Sequence, residues 1–207
     1  MKKLLTFAVA LFIFLFTSCS EDIGDCLSET EQACDFTTGK IYTGSGKIYM
    51  VSSEEAMLEV GTMSNGKVTL ALPENVDSRF LRELYQTILG GPMFFLGMYP
   101  DSSDAKVWTD MEPLRLADNS GKHIGNLEHL GLLGEEEDIY SKIYYWYFSK
   151  DTKINYPNDL ECVFHIDAKK GWNKIYFSTN FADKTCYTTD LSKAQNGFMW
   201  VVSPPNR

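Results

Sequence analysis

Apolar and polar residues alternate along much of the chain, and this period of two predicts β-strands. Residues 47–51 form one such segment. Residues 57–60 and 67–72 form two more, and they flank a turn that contains Asn65 and Gly66. An Asn-Gly pair tolerates positive φ angles and favours a two-residue hairpin turn. We therefore expect a half-buried sheet in this part of the chain, with a hairpin centred on residues 65–66.

Further strands are predicted in seven segments, of which residues 139–149 are dense in aromatic and β-branched residues. These segments are 94–98, 105–109, 114–117, 139–149, 160–167, 173–179 and 197–203. The cluster Asp118–Gly121 predicts a turn, and Ala168–Gly171 predicts a hairpin that joins 160–167 to 173–179. About nine short strands at this spacing indicate a β-sandwich, with a lipocalin-like β-barrel as the alternative.

One helix interrupts the predicted strands. Apolar residues recur every three or four positions from Val76 to Leu89, which is typical of an amphipathic helix. Asp77 is placed to cap its first turn, and Gly90–Pro92 end it, because proline cannot continue a helix. The expected fold is therefore mostly β with one short amphipathic helix.

The N-terminus has the pattern of a secretory signal. Lys2 and Lys3 precede an apolar run, Leu4–Phe16, that only Thr6 interrupts. A helix of this length reaches about 20 Å at ~1.5 Å per residue, which is short of a hydrocarbon core of about 30 Å. A positive start, a short apolar centre and small residues before Cys19 therefore predict a signal peptide over residues 1–18.

The segment Phe16-Thr17-Ser18-Cys19 resembles the lipobox of bacterial lipoproteins, with Phe16 where that family most often has Leu. The resemblance implies that Cys19 becomes the first mature residue and carries the lipid. Ser20–Asp22 resembles the surface-export signal of lipoproteins from Bacteroidota-type bacteria. We therefore expect an outer-membrane, lipid-anchored protein on the cell surface. The alternatives are the periplasmic face of that membrane, or ordinary secretion with a free Cys19.

The expected domain boundaries follow from the predicted lipid anchor at Cys19. Residues 19–38 are polar and are expected to form a lipidated tether, and residues 39–207 are expected to form the β-rich domain. Two small subdomains, divided near residues 100–120, are a further possibility. No later stretch of the sequence has a long unbroken apolar run.

Charge excludes one class of partner. The 207 residues carry a formal net charge of −9, and loss of the leader would remove two lysines and no acids. Phosphate backbones bind clustered Lys and Arg, so we expect no nucleic-acid partner.

Four cysteines remain beyond Cys19. They are Cys26, Cys34, Cys162 and Cys186. Four thiols allow three pairings, and export would let disulfides persist. The pairs closest along the chain are Cys26–Cys34 and Cys162–Cys186, which are the predicted disulfides. Free buried thiols are the alternative, and no Cys-x-x-Cys spacing indicates a metal site.

Two aromatic stretches and a third segment resemble a pattern in uncharacterised surface lipoproteins of gut and oral bacteria. They are "YYWYFSKDTKI", "DAKKGWNKIYF" and "GKVTLALP". The resemblance implies a transthyretin-like or immunoglobulin-like β-sandwich, and it implies no activity.

Motifs of known chemistry are missing from the sequence. His123, His129 and His165 lack metalloprotease spacing and are expected to be structural or exposed. The acidic run 135–138 could gather calcium, but it lacks the EF-hand pattern, so a solvated loop is expected. No nucleophile elbow or phosphate-binding loop occurs. We expect no cofactor and no metal, and a non-enzymatic protein is favoured.

Aromatic side chains are the remaining candidates for ligand contact, because an apolar ring face can stack on a sugar. Trp108, Trp146 and Trp172 are the candidate residues. The favoured function is binding or adhesion to a glycan or to a host or partner protein, through an exposed aromatic row. One alternative is a hydrolase or small-ligand carrier with a cavity. Another is an accessory subunit of an outer-membrane complex.

Overall fold

The structure is a computed structural model that describes residues 32–51, 56–84, 104–108, 113–131, 138–155, 162–180, 185–193 and 197–205. Within these ranges the chain is mostly β, as the alternating pattern predicts. The strands are β1 Ala33–Asp35, β2 Gly46–Val51, β3 Met57–Ser64, β4 Lys67–Leu70, β5 Arg82–Glu83, β6 Lys106–Trp108, β7 Leu114–Ala117, β8 His123–Gly131, β9 Asp138–Phe148, β10 Thr152–Asn155, β11 Cys162–Ala168, β12 Gly171–Asn180, β13 Thr185–Thr188 and β14 Phe198–Ser203.

The sheet begins earlier in the chain than the predicted boundary at residue 39. Strand β1 pairs in parallel with β14, and Ala33 is fully buried. Residues 33–35 therefore belong to the domain, and the tether prediction is wrong for them. The reason is tertiary, because this three-residue strand pairs with β14, which lies far along the chain.

Seven strands follow one another round a closed circuit. The neighbours are β1-β14-β8-β7-β2-β3-β4, and a bridge between Gln32 and Lys67 returns the circuit to the start of β1. Strands β1 and β14 lie at opposite ends of the sequence. The circuit therefore joins segments on both sides of the proposed division near residues 100–120.

The Asn65-Gly66 hairpin is confirmed. Asn65 has φ 50° and Gly66 has φ 77°, as a turn with positive φ at both central residues requires. Gly66 also lies so close to the backbone carbonyl of Tyr42 that a Cβ atom at this position would collide with it. Glycine is required here by both conformation and space.

The predicted helix is wrong at its start. Ser78–Phe80 forms one 3-10 turn, and Asp77 Oδ1 accepts a hydrogen bond of 2.9 Å from the Arg79 backbone N–H, as a cap should. The chain then becomes extended in β5, which pairs with β6, and Leu84 is helical.

The helix is broken because two of its predicted core residues pack in different hydrophobic cores. Phe80 packs in one hydrophobic core and Leu84 in the other. Residues four apart on a helix share one face, so an unbroken helix would direct both side chains to the same core.

A second group of strands has the order β10-β11-β13-β12-β9, and β6 also pairs with β9. The predicted strands 160–167 and 173–179 correspond to β11 and β12. They do not form a hairpin, because β13 lies between them, parallel to β11 and antiparallel to β12.

Strand β9 separates two hydrophobic cores. The first core contains Ile143, Tyr145 and Tyr147 together with side chains of the seven-strand circuit. The second core contains Tyr144, Trp146 and Phe148 together with side chains of β10, β11 and β13. Because successive side chains of a strand point to opposite faces, this strand is buried on both sides.

Several predictions fall outside the described residues. They concern the signal peptide, Cys19, Ser20–Asp22, Cys26, the end of the helix and its Gly90–Pro92 stop, strand 94–98 and Glu135–Glu137. In the part of the chain that is described, no helix has the length and apolar character that a membrane crossing needs.

Candidate functional site

A cleft of about 500 Å³ lies between β4 and the strands β8, β9, β12 and β14. Strand β4 contributes Val68, Thr69 and Leu70 to one wall. The other walls are lined by His129, Tyr145, Lys174, Phe198 and Trp200. Concave sites with apolar walls and a few convergent polar groups are the usual form of small-ligand sites.

A pair of opposed residues forms the aromatic wall. Trp200 on β14 lies directly opposite His129 on β8 in the strand register. Directly opposed residues of antiparallel strands place their side chains side by side. The two rings are stacked, with centroids 4.3 Å apart and planes 10° from parallel. Phe198 meets the His129 ring edge-on, with centroids 5.5 Å apart.

A second opposed pair completes the cleft. Tyr145 on β9 lies opposite Lys174 on β12. The Tyr145 ring is nearly parallel to that of His129, at 6°, and its hydroxyl oxygen is 3.1 Å from His129 Nδ1. Three ring planes in the cleft are therefore almost parallel, and two of the rings share a hydrogen bond.

Burial keeps this hydrogen-bonded pair uncharged. The apolar surroundings, with a smaller contribution from the positive charge of Lys174, lower the pKa of His129 to about 4. Burial raises the pKa of Tyr145 above its ordinary value. At neutral pH both rings are neutral, so each of them can donate or accept a hydrogen bond but neither is an ion.

The charge in the cleft comes from Lys174. This side chain is exposed, and no Asp or Glu is among the described residues that line the cleft. A neighbouring lysine is already neutralised, because Lys142 Nζ lies 2.5 Å from Glu128 Oε1 in an ion pair that is largely buried. The cleft therefore presents an aromatic wall, a neutral polar pair and one cation.

The tryptophans predicted to contact a ligand lie mainly in the cores. Trp146 is fully buried, and Trp108 is buried in a stack on Phe80 with centroids 4.9 Å apart. Trp172 is half-buried, and its Nε1 donates a 2.7 Å hydrogen bond to the Pro73 carbonyl. Among the described aromatic residues, Phe36 is the one with an exposed side chain. The described part of the chain thus shows no exposed row of rings.

Two of the three histidines have structural or exposed positions. His123 Nε2 lies 2.9 Å from the Gly125 carbonyl oxygen and 3.0 Å from Asn126 Oδ1. His165 Nδ1 lies 3.5 Å from Asn155 Oδ1 on the neighbouring strand. Within the described ranges, no three His, Cys, Asp or Glu residues are grouped as metal ligands.

The cysteines are only partly described. Cys34 takes part in a disulfide, and its partner is not among the described side chains. Cys162 pairs with Thr185 and Cys186 with Val163, so these two cysteines are one position out of register on adjacent parallel strands. Directly opposed cysteines, which would favour the predicted Cys162–Cys186 bond, do not occur there.

Sequence reasoning missed His129 and Trp200. Trp200 lies inside a predicted strand, but strand β8, which carries His129, is not among the predicted strands. The useful signal would have been strand pairing, since only the register brings an isolated histidine against a tryptophan 71 positions further along the chain.

Comparison of the chain with protein-family models, with curated proteins and with solved structures gives no significant match.

Proposed function

We propose that this protein is a lipid-anchored binding protein of a bacterial outer membrane, exposed on the cell surface, and that it binds a small ring-containing ligand in the His129–Trp200 cleft. The anchor is the acylated Cys19, with the Cys26–Cys34 disulfide near the end of the tether. The single observation that supports the binding function is the stacked aromatic wall beside Lys174.

Binding fits the cleft better than hydrolysis does. Glycoside cleavage needs two carboxyl groups that face each other across the bond. The described residues that line this cleft include neither Asp nor Glu. The aromatic wall of the cleft instead suits the burial and orientation of a ring.

The binding function can be tested by indole N–H signals in nitrogen-15 NMR spectra. The chain has four tryptophans, which gives four signals. Assignment would use single Trp→Phe variants, and the sample would be residues 19–207 with Cys19→Ser. We expect members of a panel of aromatic acids, aromatic amines and monosaccharides to shift the Trp200 signal.

The Trp146 signal is the internal control, because that ring is fully buried in the second core. It should stay in place when the Trp200 signal shifts. A panel in which no compound moves the Trp200 signal would refute the binding function.

The anchor has a separate test. Mass spectrometry of the protein purified from native membranes should find fatty acids on Cys19, and Cys19→Ala should release the chain from the membrane fraction. Protease treatment of intact cells should digest the native protein. Replacement of Ser20–Asp22 by alanines should protect it, by leaving it on the periplasmic face. An unmodified Cys19 would contradict the anchor.

A further inference from the structure

We propose that the cleft selects a flat ring that carries an acidic group, as in an aromatic carboxylate. This inference rests on the proposed binding function and names the class of its ligand. It depends on three features of the cleft: the parallel rings, the hydrogen bond that already joins His129 and Tyr145, and the position of Lys174.

The walls favour a flat ligand. The rings of Trp200, His129 and Tyr145 lie within 10° of one another. Val68 and Leu70 of β4 form an apolar surface on another side of the cleft. Aromatic rings prefer to pack on flat apolar surfaces in stacked or edge-on arrangements. A puckered ring would contact such walls over a smaller area.

Two of the polar side chains in the cleft are already paired with each other, which disfavours a saccharide. The described lining residues with polar side-chain atoms are Thr69, His129, Tyr145, Lys174 and Trp200, and the His129 and Tyr145 groups already bond to each other. A sugar carries a hydroxyl on most of its carbons, and each hydroxyl that loses water without a new partner weakens binding. A ring with one polar substituent loses far less.

Lys174 favours a ligand whose polar group is negatively charged. It is the one charged side chain among the described residues of the cleft lining, and no described carboxylate forms an ion pair with it. An ammonium group on the ligand would be repelled by Lys174 and would find no carboxylate. A carboxylate would form a charge-assisted hydrogen bond.

Neutral His129 supports this assignment. It lies inside the aromatic wall with its pKa lowered by burial, so it adds no second cation at neutral pH. The acidic group is therefore directed to Lys174 at the exposed side of the cleft, and the ring is directed to Trp200.

The test uses three compounds that separate the acidic group from the flat ring. Indole-3-acetate has a flat ring and an acid, tryptamine has the same ring with an ammonium, and cyclohexylacetate has the acid without a flat ring. Titration calorimetry and NMR on residues 19–207 with Cys19→Ser would measure each affinity. We expect indole-3-acetate to bind about tenfold or more tightly than either of the others, since one charge-assisted contact corresponds to roughly that factor.

Two variants test whether Lys174 is responsible for the preference for indole-3-acetate. Lys174→Gln should weaken indole-3-acetate binding about tenfold and remove its advantage over tryptamine. Lys106→Gln changes another exposed lysine, on β6, that does not line the cleft, and it should bind like the unaltered protein. Both changes are at exposed positions, and one-dimensional NMR spectra would verify that the variants fold.

Each outcome decides between the two proposals. Equal affinity for tryptamine refutes the acidic group, and equal affinity for cyclohexylacetate refutes the flat ring, while binding at Trp200 still stands. If another panel compound shifts the Trp200 signal and none of these three does, the ligand class is wrong and the binding function survives. If no compound shifts it, both proposals fail.

Discussion

His129 shows how strongly position can alter one residue. Its sequence context marks it as an ordinary histidine, yet the ring is stacked on Trp200 and hydrogen-bonded to Tyr145. Burial favours the neutral imidazole and lowers the pKa from 6.5 to about 4. This residue therefore links the stability of the first core to pH.

We predict that His129 makes the fold less stable in weak acid. The pKa is lower in the folded chain than in the unfolded chain, so the unfolded chain binds the proton first as pH falls. Its contribution to stability is complete above about pH 6.5 and is lost as pH falls towards 4. The loss should be roughly 2–3 kcal/mol at about 1.4 kcal/mol per pKa unit.

Urea unfolding at pH 7 and pH 4.5 measures this effect, with His129→Phe as the comparison. Carboxyl groups titrate in both proteins, so the difference between them isolates the histidine. A variant that loses as much stability as the unaltered protein would contradict the prediction.

Trp146 carries a polar N–H group into a hydrophobic core. It is fully buried, and its Nε1 has no hydrogen-bond partner among the residues that the structure describes. A buried unpaired donor costs about 1–3 kcal/mol. Trp146→Phe removes that donor along with some packing, so we expect a loss below about 1.5 kcal/mol in urea unfolding.

Trp172→Phe is the matched control for this substitution. It removes a donor that is paired with the Pro73 carbonyl, so it should cost about 1 kcal/mol more than Trp146→Phe. The reverse order would show that the Trp146 donor does not destabilise the fold. Trp146→Ala should cost about 3–5 kcal/mol through the cavity it leaves.

At the scale of elements, the β3–β4 turn is where sequence and structure agree best. Asn65 and Gly66 both take positive φ angles, and the turn packs against the segment that contains Tyr42. The turn residues specify the hairpin locally, and the tertiary contact adds a steric demand that the pattern does not reveal.

Comparison of Gly66→Ala with Gly121→Ala separates the cost of the positive φ angle from the cost of the collision with Tyr42. Gly121 also has a positive φ, 83°, but a Cβ atom there would meet nothing within 4 Å. Gly121→Ala should therefore cost about 1–2 kcal/mol from backbone strain alone. Gly66→Ala should cost clearly more in thermal or urea unfolding, because it adds the collision with Tyr42. Equal losses would mean that the backbone at Tyr42 yields easily.

At the scale of the whole molecule, the two groups of strands meet at β8 and β9. Among the described residues, the backbone link between these strands is the single pair Leu130 and Lys142. The ion pair of Lys142 with Glu128 lies at the same junction, and the lysine side chain is only 7% exposed. The junction therefore depends on side chains more than on an extended ladder.

Removal of one partner of this ion pair should strongly destabilise the protein. Lys142→Met leaves a largely buried carboxylate without its cation, so we expect a loss of about 3 kcal/mol in urea unfolding. Glu128→Met combined with Lys142→Met should recover much of that loss, since no unpaired charge remains.

The exposed pair Lys47–Glu59 is the control for this prediction. Its side chains are 48% and 45% exposed, so Lys47→Met should cost less than about 1 kcal/mol. Equal effects at the two positions would indicate that water reaches Lys142 as readily as it reaches Lys47.

The strand pattern was predictable because it is a local property. Alternation and strand propensity correctly indicated β2, β3, β4, β6, β7, β9, β11, β12 and β14, and a mostly β fold. The strands β1, β5, β8, β10 and β13 were not predicted. Of these, β1, β5 and β13 have four residues or fewer, and a partner strand from another part of the chain supplies their hydrogen bonds.

The candidate site was less predictable than the fold. Tryptophan was a reasonable residue type to choose, but composition cannot distinguish Trp146, which is fully buried, from Trp200, which is 5% exposed and lines the cleft at the edge of the first core. That distinction depends on which strands are neighbours and in what register.

The sequence by itself determined that the chain is built mainly of strands and where its Asn-Gly hairpin turns, because alternation and turn chemistry act between near neighbours. Only the tertiary structure decided that β13 separates β11 from β12, that Phe80 and Leu84 enter different cores, and that His129 lies against Trp200. These outcomes depend on burial and strand pairing between segments far apart in the chain, and the energy of such contacts exceeds any local preference.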